Sequence, residues 1–160
     1  MIRISGGINK GKKIKTLDTM STRPTLSRVK TSLFDMLSDR IKDAVILDLY
    51  SGTGNIGIEA LSRGAKSVVF VENNAAQARL IKENLTFLNL LNHAEIITLG
   101  VLEAIQRLDK RLDKKMTFDI IYLAPPFLKG LILPTIEAIA KSSLLSPYGL
   151  LGAEHHKKEA

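Results

Sequence analysis

The sequence contains no cysteine and no tryptophan, and only three histidines among its 160 residues. Without cysteine the chain can form no disulfide, no thiolate zinc site and no cysteine nucleophile. His155 and His156 lie together in a charged tail, so we expect no metal site. No apolar run reaches the ~20 residues of a membrane span, and the first residues, MIRISGGINKGKK, lack the apolar centre of a signal peptide. These absences predict a soluble, cytoplasmic protein.

The length and apolar content predict one domain over residues 1–160. At 45% hydrophobic, the chain can bury one core and is too short for two ordinary domains. We divide it into a basic N-terminal arm and helix, residues 1–43, and a core, residues 44–160.

Positive charge is concentrated at the start of the chain. The net charge is +7, and residues 1–43 contain ten basic side chains against four acids. The ten are Arg3, Lys10, Lys12, Lys13, Lys15, Arg23, Arg28, Lys30, Arg40 and Lys42. Such clustering is typical of a surface that binds a polyanion, although a merely solvated basic surface would have the same composition.

After the arm, strand-like apolar runs alternate with helical patterns, which predicts an α/β fold with a mostly parallel, doubly wound sheet. The predicted strands are 44–50, 67–72, 94–99, 118–123 and 148–154. The predicted helices are about 25–41, 55–63, 74–90, 101–113 and 130–144. The helix at 25–41 has Leu26, Val29, Leu33, Phe34 and Leu37 at helical spacing. The arm has two β-like runs around glycines and is predicted to form a hairpin.

A glycine fingerprint follows the first strand of the core. Gly52, Gly54 and Gly57 have G-x-G-x-x-G spacing, and Glu72 ends the next strand, where an acid can bind ribose hydroxyls. This pattern fits a dinucleotide or S-adenosylmethionine. Asp48 favours the latter, because a carboxylate beside the loop repels phosphates and attracts an ammonium or sulfonium. A helix or turn cap is the alternative role for Asp48.

The segment APPF, residues 124–127, ends a predicted core strand. Pro125 and Pro126 fix a rigid turn whose carbonyls can accept hydrogens from an amine, and Phe127 can stack on a planar base. The motif therefore suits methyl transfer to a planar amine. Alternatively, the prolines only end the strand and Phe127 belongs to the core.

The sequence resembles the RsmD-type family of S-adenosylmethionine-dependent methyltransferases, which methylate the exocyclic N2 of a guanine in 16S ribosomal RNA. The resemblance covers nearly the whole chain. It is found in RISGGINKGKKIKTL, TRPTLSRVKTSLFDML, LDLYSGTGNIGIEALSRGA, VVFVENN and APPF. It implies a Rossmann-like class I methyltransferase fold with an N-terminal hairpin and helix extension. It also implies S-adenosylmethionine as cofactor, S-adenosylhomocysteine as product, and 16S RNA of the small ribosomal subunit as partner of a monomeric enzyme.

The resemblance also assigns site residues. The catalytic turn is formed by Ala124, Pro125, Pro126 and Phe127. Cofactor binding is assigned to Asp48, Tyr50, Ser51, Gly52, Gly54, Glu72, Asn73 and Val101, with Arg23 and Thr25 closing over the cofactor. RNA binding is assigned to Arg3, Lys10, Lys12, Lys13 and Arg28.

Three positions depart from the family pattern. Asp or Asn usually precedes the two prolines, and Ala124 has no side-chain oxygen, so the carbonyls of Ala124 and Pro125 must hold the amine. An acid that meets the adenine is usual where this chain has Val101. Relatives continue into a closing β-hairpin, whereas this sequence stops at Ala160, either because it is truncated or because it is a natural short form. We expect Leu150 and Leu151 to lie in a strand with one unpaired side.

Other functions remain open at this point. The chain could bind cofactor or RNA with weak or no turnover. It could also methylate a different amine, such as that of adenine in DNA or of glutamine in a protein. A nucleotide-dependent oxidoreductase is disfavoured by Asp48.

Overall fold

A computed structural model of the chain describes residues 1–17, 27–111, 116–155 and 158. Strands and helices alternate as predicted. The strands are β1 (Ile2–Arg3), β2 (Lys13–Ile14), β3 (Val45–Leu49), β4 (Ser67–Val71), β5 (Ala94–Ile97), β6 (Phe118–Leu123) and β7 (Leu145–Ala153). The α-helices are α1 (Ser27–Leu37), α2 (Asn55–Ser62), α3 (Ala75–Phe87), α4 (Val101–Asp109) and α5 (Ile132–Ala140). Short 3-10 helices cover Ser38–Arg40 and Leu91–His93.

Strands β3 to β7 form one sheet in the order β5-β4-β3-β6-β7, and every neighbouring pair is parallel. The chain winds outward from β3 through β4 to β5, and then returns to the other side of β3 as β6 and β7. This order confirms the predicted doubly wound sheet. Ligands bind where the winding direction changes, and here that point lies between β3 and β6.

Helices cover both faces of this sheet. On one face, Phe34 of α1, Ile58 of α2 and Ile81 of α3 are buried in one apolar cluster. On the other face, Ile105 of α4 and Ile139 of α5 belong to a second cluster. The near-continuous apolar strands follow from this double covering.

Several predicted boundaries were wrong. The last strand begins at Leu145 rather than 148, and α4 ends at Asp109 rather than 113. Helix α1 ends at Leu37 rather than 41, and the 3-10 turn follows it.

The buried face of α1 also differs from the predicted spacing. Val29 is 37% exposed because Lys30, not Val29, faces the core. Leu26 lies outside the described residues.

The arm forms the predicted hairpin, in which β1 and β2 pair antiparallel. Glu59 of α2, which is fully buried, is one of the side chains that connect the hairpin to the core, together with Ser62 and Asn84. The Glu59 carboxylate accepts the N–H groups of Ser5 and Gly6, both at 2.9 Å. Lys30 Nζ lies 3.1 Å from Glu59 Oε1, and Arg63 Nε lies 2.7 Å from Glu59 Oε2.

This buried network corrects the interpretation of Lys30 as part of the basic surface. Lys30 is only 2% exposed, and its Nζ also donates to the Arg3 carbonyl and to Asn55 Oδ1. A buried lysine requires a counter-ion, and Glu59 provides it. Lys30 therefore fastens α1 to the hairpin and to α2.

Among the described residues, β7 lies at one edge of the sheet beside β6. In the parts of the chain that the structure describes, no helix combines the length and apolar character of a membrane-spanning segment.

Candidate active site

A cavity of about 530 Å³ opens at the carboxyl ends of β3 and β6, where the winding direction of the sheet changes. Its walls come from the glycine loop, the end of β4 with the start of α3, the APPF turn and the end of β7. The lining residues are Asp48, Tyr50, Ser51, Gly52, Thr53, Asn55, Ile56, Glu72, Asn73, Asn74, Gln77, Tyr122, Ala124, Pro125, Pro126, Phe127, Leu131 and Glu154.

The glycine loop gives the cavity its floor. Gly52 has a φ of +56°, a conformation that L side chains rarely adopt, and a Cβ there would point into open space. Gly57 has a different role. A Cβ at Gly57 would lie 2.3 Å from Cε1 of Phe70, so glycine lets α2 pack directly on β4. The loop therefore combines an open surface for a ligand with a close helix contact.

Asp48 lies at the bottom of the cavity and is 2% exposed. Its Oδ2 accepts the N–H of Gly57 at 3.2 Å. Burial raises the pKa of Asp48 to about 7. The hydrogen bond from Gly57 lowers this pKa, and the negative charge of Glu72 raises it further. A cation bound here would favour the carboxylate. Asp48 is thus suited to a positively charged ligand.

Glu72 forms the opposite wall. Its Oε1 accepts the N–H of Gly52 at 3.0 Å, and its Oε2 accepts the N–H of Asn74 at 2.9 Å. These two bonds fix the carboxylate at the end of β4, and each oxygen keeps a further lone pair for a ligand hydroxyl. Asn73 follows at the exposed rim.

Tyr50 lies between the loop and α5. Its backbone has a φ of 59°, and its hydroxyl is 2.7 Å from Thr135 Oγ1. Burial raises the pKa of the Tyr50 hydroxyl. The side chain is therefore held as a neutral wall of the cavity.

The APPF turn faces the glycine loop across the cavity. Tyr122 of β6 pairs in register with Asp48 of β3, and Ala124 follows two residues later. Pro125 is buried, whereas Phe127 is half-buried. The structure thus brings all four residues of the turn to the same cavity as Asp48 and Glu72.

Two residues predicted to bind the cofactor are not among the described residues that line the cavity. Val101 is buried among the apolar residues between the sheet and α4. Gly54 precedes α2 with a φ of 78°, and a Cβ there would face Ile58 and Ile81 rather than the cavity.

The predicted RNA-binding side chains Arg3, Lys10, Lys12, Lys13 and Arg28 are exposed. Arg3 also donates to the Gly11 carbonyl at 2.9 Å. Arg23 and Thr25 lie outside the described residues.

The sequence analysis missed Tyr122 and Glu154 as cavity residues. The Tyr122 hydroxyl donates to Glu154 Oε2 at 2.9 Å. The sequence signal for Glu154 was an acid at the end of the predicted strand 148–154. Whether that acid reaches the cavity depends on which strand pairs with β7.

The chemistry of the walls fits S-adenosylmethionine. Asp48, Glu72 and Glu154 are acids, and no lysine or arginine is present among the described lining residues. Three carboxyl groups disfavour the pyrophosphate of a dinucleotide and favour a ligand with an ammonium and a sulfonium. The open surface at Gly52 and the fixed carboxylate of Glu72 suit a ribose close to the loop.

Comparisons with known proteins agree with this geometry. The model of the family described as conserved hypothetical protein 95 matches residues 2–160. "Ribosomal RNA small subunit methyltransferase D" of Haemophilus influenzae is 34% identical over 157 residues, which are 98% of this chain and 79% of that protein. The Escherichia coli K12 protein of the same name is 32% identical over 153 residues, 96% of this chain and 74% of that protein.

A solved structure of a hypothetical protein from Thermus thermophilus superimposes with a TM-score of 0.85. It is 29% identical, and the match covers 99% of this chain and 88% of that chain. The similarity in sequence and in structure therefore extends over nearly the whole chain.

Proposed function

This chain belongs to the family described as conserved hypothetical protein 95, and from that membership we propose that it methylates ribosomal RNA of the small subunit with S-adenosylmethionine. The proposed acceptor is the exocyclic N2 of a guanine in 16S RNA. The observation on which the proposal mainly rests is that the buried carboxyl group of Asp48 and the APPF turn line one cavity.

The cofactor would supply an activated methyl group on a sulfonium. Asp48 and the main chain at Ser51 and Gly52 would hold its methionine end, because they form the floor around the buried carboxyl group. Glu72 would accept hydrogen bonds from the ribose hydroxyls, with Asn73 beside the adenine. Arg23 and Thr25 would close over the bound cofactor.

The chain contributes orientation to the reaction. A base amine is a poor nucleophile because its lone pair is delocalised into the ring. Carbonyls of Ala124 and Pro125 would accept its hydrogens and direct the lone pair, while the Phe127 ring stacks on the base. Rigid positioning of this kind can account for most of the rate when the methyl donor is already activated.

The exposed basic side chains of the arm and α1 would contact RNA phosphates. Lys10, Lys12 and Lys13 lie on one short hairpin, and each phosphate neutralised contributes to affinity by counterion release. We further propose that the chain is a single domain and that it acts as a cytoplasmic monomer on the assembled small subunit.

Ligand binding and substrate competition test this proposal. Calorimetry should show binding of S-adenosylhomocysteine and none of NAD. Small ribosomal subunits should then compete with labelled substrate more strongly than duplex DNA or protein. Preference for NAD would contradict the cofactor assignment, and equal competition by DNA would contradict the RNA assignment.

A further inference from the structure

The backbone of Glu154 lies beside Ala124, where the turn lacks a side-chain oxygen. Ala153 of β7 pairs in register with Leu123 of β6. The N–H of Glu154 then donates to the Leu123 carbonyl at 2.9 Å, so the pairing continues beyond the strands. Neighbouring strands lie about 4.8 Å apart. Glu154 and Ala124 are therefore side-by-side neighbours in the lining of the cavity.

The Glu154 side chain is held on the same face of the sheet as the methyl group of Ala124. Alternate residues of a strand share a face, so Tyr122 and Ala124 point to the same side of β6. The Tyr122 hydroxyl donates to Glu154 Oε2 at 2.9 Å and holds the carboxyl group over that side. Gly152 faces the Tyr122 ring, since a Cβ there would lie 3.4 Å from Cδ2.

The other two acids of the cavity are already engaged near the glycine loop. Both oxygens of Glu72 accept main-chain N–H groups, from Gly52 and Asn74. Asp48 is buried and accepts the N–H of Gly57. Glu154 is the acid that lies on the wall formed by the APPF turn.

We propose that Glu154 is a catalytic residue whose carboxylate binds the substrate amine and accepts the proton that the amine loses. The proposal rests on the proposed function. The amine nitrogen uses its lone pair to form the N–C bond to the methyl carbon, and the electron pair of the broken C–S bond stays on sulfur. The nitrogen then loses one proton to a Glu154 oxygen, from which the proton passes to water. Glu154 thus replaces the side-chain oxygen that Ala124 lacks.

The first test compares E154Q with wild type in methyl transfer to small subunits. The amide cannot take the proton, so kcat should fall at least about tenfold, as for loss of a general base. KM for the subunit and affinity for S-adenosylhomocysteine should change less than twofold. E103Q is the matched control, because Glu103 is exposed on α4 and pairs with Arg107 away from the cavity. This control should retain wild-type kinetics.

Rescue separates this role from a structural one. A124D places a carboxylate, which can take a proton, directly on the turn, and in the E154Q background it should recover at least fivefold in kcat. Y122F keeps the ring but removes the hydroxyl that orients Glu154. It should lower kcat less than E154Q does, without changing S-adenosylhomocysteine binding. An E154Q enzyme with wild-type kcat, or a slow one that A124D does not rescue, would overturn the proposal.

Binding provides a readout without turnover. Sinefungin has a protonatable amine in place of the S-methyl group, so a carboxylate at the transfer position should favour it over S-adenosylhomocysteine. E154Q should weaken sinefungin at least threefold and leave S-adenosylhomocysteine unchanged. Equal affinities for sinefungin in E154Q and wild type would count against Glu154. A wild-type protein that binds neither ligand would instead overturn the proposed function itself.

Discussion

Lys30 and Glu59 form an ion pair of 3.1 Å in which both side chains are buried, at 3% and 0% exposure. Glu59 joins the N-terminal hairpin, α1 and α2 through this pair and through the N–H groups of Ser5 and Gly6. Burial favours the neutral form of Glu59, but the N–H of Ser5 with Arg63 and Lys30 outweighs it and lowers the pKa of Glu59. The arm proposed to bind RNA is thus attached to the helix that follows the glycine loop.

Removal of the negative charge from Glu59 should destabilise the protein. E59Q leaves Lys30 buried without its counter-ion, which typically costs about 3 kcal/mol or more. Urea denaturation at pH 7 should show this loss. The control E103Q removes an exposed pair and should change the free energy of unfolding by under about 0.5 kcal/mol. Equal stability of both variants would contradict the structural role of Glu59.

The buried carboxyl group of Asp48 should lower the free energy of unfolding of the ligand-free protein at high pH. The pKa of Asp48 is about 7 in the folded chain against an ordinary value of 3.8. The folded chain therefore keeps a proton that the unfolded chain loses, and stability falls as pH rises from about 4 to 7. D48N removes this penalty. It should stabilise the protein by roughly 2 to 4 kcal/mol at pH 8 and by under about 1 kcal/mol at pH 4.

The same D48N variant should lose affinity for S-adenosylhomocysteine, because the amide cannot attract the ammonium of the ligand. Denaturation curves at the two pH values and calorimetry at pH 8 measure both effects. A pH-independent change in stability would contradict the raised pKa, and unchanged affinity would contradict the role of Asp48 in binding.

Gly57 should not tolerate a side chain. In G57A the new Cβ would lie 2.3 Å from Phe70 Cε1 and 2.9 Å from Val68 Cγ1, so α2 would have to move away from β4. Such overpacking costs about 1 to 3 kcal/mol. G100A is the matched control, since a Cβ at Gly100 meets nothing within 4 Å. Thermal unfolding should show a lower midpoint for G57A alone, and a midpoint lowered equally in both variants would contradict this packing.

The arm lysines should contribute to RNA affinity and not to cofactor affinity. Replacement of Lys12 and Lys13 by alanine removes two exposed charges from the hairpin. The slope of log affinity against log salt should then become shallower by about 1 to 2. Lys82 on α3 and Lys141 just after α5 are exposed outside the arm and provide the matched double variant. An equal reduction of the slope in both double variants would contradict the proposal that the arm is the surface that binds RNA.

The sequence allowed prediction of features that depend on neighbouring residues. The G-x-G-x-x-G loop, Asp48 and the APPF turn are local patterns, and the strand alternation established the sheet. Lys30 and Glu154 could not be placed in this way. The burial of Lys30 depends on Glu59 in another helix, and the position of Glu154 depends on the register of β7 against β6. Val101 stands where relatives usually have an acid, and it packs in the core between α4 and the sheet.

The most direct test of the account is labelled methyl transfer from S-adenosylmethionine to small ribosomal subunits that lack the modification. The product nucleoside is identified by mass, and small subunits that already have the modification are the control. We expect N2-methylguanosine at a single site, with no label on the control subunits. Label on another nucleoside, or no label with folded protein that binds the cofactor, would contradict it.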